Sequence, residues 1–92
     1  MQTGSKPTVN YTSMEMTMET YTLTVARQAV SRYNGDWSIA RRIGEAMDEE
    51  YGGFWHCVIS DKNITIRNQA KNKSYIDFKL DDKYFWVWQA CE

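Results

Sequence analysis

Residues 51–60 read YGGFWHCVIS and set His56, the sole histidine of the chain, directly against Cys57. A thiol and an imidazole are the material of two chemistries. An imidazole within hydrogen-bond reach can take the proton of a thiol and make a nucleophile, and both groups are ligands for zinc. Their spacing favours neither. In an extended segment successive side chains project to opposite faces, so neighbours in the chain point away from each other. Zinc sites take about three or four Cys, His or carboxylate ligands, and the other cysteine, Cys91, is remote in sequence. Asp48, Glu49 and Glu50 add carboxylates on what reads as the solvated side of a helix. There is no EF-hand loop, phosphate-binding loop or dinucleotide fingerprint. With no nucleophile, base and oxyanion donor brought together, we expect a protein that is not an enzyme and uses no metal or cofactor.

Holding His56 and Cys57 on opposite faces requires a strand over 54–60, and the surrounding pattern supplies its setting. Residues 1–13 are polar and aperiodic and read as a flexible tail, leaving 14–92 as the domain. Met14, Met16 and Met18 alternate with polar residues, as in a short half-buried strand whose methionines simply pack. The period then changes to that of a helix, with Leu23, Ala26, Ala29, Val30 and Tyr33 on one face. Asn34 and Gly35 end it. Asp36 is placed to cap a second helix that carries Ile39, Ala40, Ile43, Ala46, Met47 and Tyr51, and Gly52-Gly53 stops that one. The remainder, FWHCVIS, NITIRN, SYIDFKL and YFWVWQA, is strand-like, with a hairpin turn at Asp81-Asp82-Lys83. Helices and strands segregated in this way predict an α+β domain, two helices packed on an antiparallel sheet of four to five strands.

Ninety-two residues make one domain with a thin core. Four tryptophans, six tyrosines and three phenylalanines exceed what such a core needs, so part of the aromatic load is expected at an interface. A net charge of −1 exerts no overall pull on nucleic acid or anionic lipid. Two distant cysteines make no disulfide framework, which favours a reducing, intracellular setting. No apolar run reaches the length of a membrane span. In the 54–60 strand Cys57 shares the helix-facing side with Trp55 and Ile59. Phe54, His56 and Val58 share the other, which needs a cover. A second copy of the same face is the simplest cover, so these three residues are expected at a two-fold dimer interface that weakens once the imidazole is protonated.

The stretch YNGDWSIARRIGEAMDEEYGGFWHCVI, residues 33–59, resembles the signature of the smallest dynein light chains. Tyr33, Asn34, Ile39, Ala40, Ile43, Asp48, Tyr51, Trp55, His56 and Cys57 fall in step with it. The resemblance extends more weakly over about residues 16–89, and it also takes in the light-chain-like domains that end the tegumental calcium-binding proteins of flatworms. It implies a non-catalytic, strand-exchanged homodimer in the cytoplasm, associated with the cytoskeleton. Such a dimer holds short disordered client peptides, the dynein intermediate chain among them, as added β-strands in two equal grooves. In this chain the groove strand falls on Asn63, Ile64, Thr65, Ile66, Arg67, Asn68 and Gln69, which would pair through backbone. The cap for a client glutamine falls on Asp36 and Trp37. Two departures imply altered client specificity: the groove strand lacks the family's glycine and Thr-His-Glu end, and Trp37 stands where a lysine is usual.

A second reading is single-stranded nucleic-acid binding. Lys62, Arg67, Lys71 and Lys73 gather around the strands, and Tyr84, Trp86 and Trp88 would share one face of the last strand as a stacking platform. The slightly acidic balance of the whole chain speaks against it.

Overall fold

The fold is that of a computed structural model that describes residues 6–64 and 74–90. Strand β1 (Thr8–Thr12) is followed by helices α1 (Met16–Arg32) and α2 (Asp36–Tyr51). Strands β2 (Trp55–Ser60), β3 (Tyr75–Leu80) and β4 (Lys83–Gln89) come after them. The sheet order is β1-β3-β4-β2, with every neighbouring pair antiparallel.

Both helices lie on one face of this sheet because one face of each strand is apolar. From β3 come Ile76, Phe78 and Leu80, from β4 Phe85 and Val87, and from β2 Trp55. They meet Val25, Ala26 and Ala29 of α1 and Ile39, Ile43, Ala46 and Met47 of α2. Phe78 and Phe85 are register partners with ring centroids 5.0 Å apart and planes within 9°, both shielded from water. Removing either ring would cost about 3–5 kcal/mol. Thr22 is wholly buried, and its hydroxyl donates to the Met18 carbonyl at 2.8 Å, so no polar group is stranded there. Leu80 pairs with Lys83 across a turn in which Asp81 takes a φ of 58°, a left-handed conformation that aspartate tolerates better than most residues.

Three expectations change. The segment Thr8–Thr12, read as tail, is an edge strand, and Ser13 N–H continues the attachment by donating to the Tyr75 carbonyl at 2.8 Å. Its polar residues concealed it, since an edge strand needs backbone pairing more than apolar side chains. The methionine segment is not a strand: α1 begins at Met16, which is 80% exposed, while Met14 is buried ahead of it. Alternation over so short a run competed with methionine's good helix propensity, and the helix won. Asp36 is the first residue of α2 rather than its cap. Gly35 holds the cap position at φ 87°, and no side chain caps the helix.

The rest agrees in outline. The α2 face Ile39, Ile43, Ala46 and Met47 is buried as expected, with Ala40 and Tyr51 at its margin. On α1 the buried set is Thr22, Val25, Ala26 and Ala29, so the face is turned slightly from the expected one, and Tyr33 lies beyond the helix and exposed.

Candidate functional site

The joint between α2 and β2 decides where His56 and Cys57 point. Gly52 closes the helix with its N–H on the Asp48 carbonyl at 2.8 Å and a φ of 75° that suits glycine. Its own carbonyl accepts the Trp55 indole N–H at 3.0 Å. The Asp48 carboxylate accepts the Trp55 backbone N–H at 3.0 Å and so sets the first residue of β2. Asp48, read as part of a solvated acidic face, thus has a structural task; Glu49 and Glu50 are exposed.

From that start the strand alternates. Trp55 is 7% exposed, and Cys57 and Ile59 pack against the core. Burial pushes the Cys57 thiol up, away from the thiolate. His56 is on the opposite face and open to solvent, between Phe54, 73% exposed, and the half-buried Val58. The imidazole and the thiol do not converge. Among the described residues no three His, Cys, Asp or Glu side chains stand close enough to hold a metal ion.

Register extends the His56 face across the sheet. His56 is opposite Trp88, their rings 5.5 Å apart; Val58 is opposite Trp86 and Ser60 opposite Tyr84. On the far side of β4, Lys79 is paired with Tyr84 and sets its ammonium 5.5 Å from that ring. The outward face is therefore aromatic, with polar groups at its ends. Among the described residues β2 pairs only with β4, which leaves its other edge open beside Phe54 and His56.

Of the positions expected to form the groove strand, Asn63 and Ile64 follow β2 as exposed residues outside any strand. Thr65, Ile66, Arg67, Asn68 and Gln69 lie outside the described residues. The nucleic-acid reading loses its platform, since Trp86 is only 3% exposed and offers no ring to a base. Of its basic residues Arg67, Lys71 and Lys73 lie outside the described residues, and Lys62 is exposed past the end of β2.

Asp36 and Trp37, expected to cap a client glutamine, part company. The Asp36 carboxylate faces the β3–β4 turn and accepts from the Lys83 ammonium at 3.1 Å. Trp37, 71% exposed, turns to the outer side of α2. There the Arg41 guanidinium sits 5.3 Å from its ring and donates through Nε to Glu45 at 3.0 Å. Tyr33, Trp37, Ser38, Arg41, Arg42 and Glu45 line a shallow pocket of about 230 Å³. Sequence reasoning passed over this pocket. The signal was present as Trp37, Arg41 and Glu45 at four-residue steps, which places them in a row on one helix face.

Comparison with known proteins places this geometry. The family model described as dynein light chain type 1 matches residues 6–90. Axonemal dynein light chain 4 of Homo sapiens is 31% identical over 74 residues, covering 78% of this chain and 70% of that protein, and its Sus scrofa counterpart gives the same figures. Among solved structures, the dynein light chain-like domain of the Fasciola hepatica calcium-binding protein FhCaBP2 superposes with a TM-score of 0.86. It shares 20% identity and covers 96% of this chain and 94% of that one. The like domain of CsTAL3 gives a TM-score of 0.70 at 18% identity, over 94% of each chain. At these identities the structural likeness is one of fold.

Proposed function

The chain belongs to the dynein light chain family, and from that premise we propose that it is a non-catalytic, dimeric module that holds short extended peptide segments by strand addition. Family and fold support a small protein-binding module. The observation that carries the finer reading is the open edge of β2 beside the exposed Phe54 and His56. An edge strand offers unpaired backbone donors and acceptors to another chain. The exposed Phe54 ring next to it adds apolar area for that chain to cover. One surface serving both copies equally gives a closed two-fold pair.

In this reading Phe54, His56 and Val58 lie in the contact between copies. Client peptides then extend the sheet, and the chain pairs two clients in a cytoskeleton-associated complex such as a dynein motor. Ladder hydrogen bonds need no particular side chain, so strand addition survives the departures in the groove sequence, while the side-chain preference changes.

Sedimentation together with a labelled extended peptide that carries the family's usual client glutamine between two threonines, Thr-Gln-Thr, tests this directly. We expect twice the mass of one chain at micromolar concentration, new amide protection on the peptide, and one peptide per chain. A mass of one chain, or a dimer on which no extended peptide gains protection, would overturn the proposal.

A further inference from the structure

We propose that the pocket of Tyr33, Trp37, Arg41 and Arg42 is a recognition subsite for a carboxylate side chain of the bound peptide, so that this chain selects acidic clients. It rests on the reading of the protein as a peptide-holding module and names the chemistry of the peptide held.

The balance of donors and acceptors decides between an amide and a carboxylate. A glutamine side chain presents both an N–H donor and a carbonyl acceptor, so a site for it must supply an acceptor as well as a donor. Both nearby carboxylates are already paired with a cation, so an amide N–H would have to compete with that cation for them. Asp36 accepts from Lys83 at 3.1 Å, on a different side of α2 from the pocket. Glu45 accepts from Arg41 at 3.0 Å. What remains is donor-rich. Arg42 is half-buried in the pocket wall, and the described residues give its guanidinium no hydrogen bond, ion pair or ring contact. A guanidinium has five N–H donors, no acceptor, and a planar fork that matches the two oxygens of a carboxylate.

The remaining walls strengthen that match. Arg41 is held between the Trp37 ring and Glu45, so little side-chain freedom is lost when a ligand meets it. Trp37, beside the Arg41 guanidinium, and Tyr33 in the pocket wall are 71% and 39% exposed and give aromatic surface that a peptide would cover. Covering it displaces water and lowers the local dielectric, which strengthens a charged hydrogen bond. A lysine-bearing client meets two guanidinium groups against one engaged carboxylate and is rejected.

The experiment takes the full isotope-labelled chain and two peptides of the same sequence that differ only in a central Thr-Glu-Thr or Thr-Gln-Thr. Affinity is read by titration and contact by the Trp37 indole N–H signal, assigned with Trp37→Phe. We expect the Glu peptide to bind about tenfold more tightly, the scale of one partly exposed charged hydrogen bond, and to move the Trp37 signal. Arg42→Gln should bring the affinities of the two peptides to within about twofold of each other. Raising the salt to about 0.5 M should erode the same preference in the unaltered protein, a readout that needs no variant. Equal affinities, a Gln preference, or an unmoved Trp37 signal would overturn the subsite. If the Glu peptide moves Trp37 in an Arg42-dependent way without backbone protection on either peptide, the subsite stands and strand addition fails. If both peptides gain protection with equal affinity, strand addition stands and the subsite fails.

Discussion

Cys57 shows at the scale of one residue how position in a strand suppresses chemistry. Its thiol faces the core, where the charged form lacks solvation, so its proton is held more tightly in the folded chain than in the unfolded one. The sign of the linkage follows. Below the ordinary thiol pKa both states keep the proton and stability does not change. Above it the unfolded state ionises while the folded state does not, so folding loses ground as pH rises. Between about pH 8.5 and about pH 9.5 this one group removes about 1 kcal/mol. The Tyr75 phenol, pushed up by burial and by its 2.6 Å hydrogen bond to Asp77, adds a loss of the same sign at still higher pH. Urea midpoints measured at about pH 7 and about pH 9.5 should therefore fall for the unaltered chain and fall less for Cys57→Ala. An equal fall in both proteins would show that the thiol is not buried.

At the scale of elements, the link from α2 to β2 concentrates several interactions in a few residues. Asp48 is the clearest case, because its carboxylate bonds the Trp55 N–H while its carbonyl receives Gly52. Asp48→Ala leaves a strand-end donor unpaired and should lower stability by about 1–2 kcal/mol in denaturant unfolding. Glu49→Ala, on the exposed side of the same turn, should change it by less than about 0.5 kcal/mol. Equal effects would mean that Asp48 is only a surface charge. This contrast marks what was legible in the sequence. The alternation Trp55, Cys57, Ile59 against His56 and Val58 follows from the period of a strand, so the direction of each side chain could be read without coordinates. The two glycines that stop α2 could be read for the same local reason. Asp36 with Lys83 could not, because 47 residues separate the partners and no local pattern joins them. Nor could β1, whose place depends on the backbone of β3 and not on its own side chains.

At the scale of the whole molecule, the sheet presents two edges, β1 and β2, and only one of them suits a second chain. The β1–β3 ladder breaks register between Val9 and Tyr11, leaving an irregularity at Asn10. Bulges twist an edge away from further pairing, and proteins use them for that purpose. The β2–β4 ladder runs unbroken through six register pairs from Trp55 to Ser60, so the side of β2 that is unpaired among the described residues is a regular template. It also adjoins the exposed Phe54 and His56, whereas β1 carries mainly threonine and asparagine. Association through β2 therefore gains an unbroken ladder together with the Phe54 ring, 73% exposed, whereas β1 offers Tyr11, 48% exposed, beside a broken ladder. Hydrogen exchange at two protein concentrations separates the edges. The β2 amides that do not bond β4 should be protected at high concentration and exchange faster on dilution, in step with the loss of mass in sedimentation. The free β1 amides should exchange at one rate throughout. Concentration-dependent protection on β1, or free β2 amides that stay fast at every concentration, would place the contact elsewhere and remove the reason for putting His56 within it.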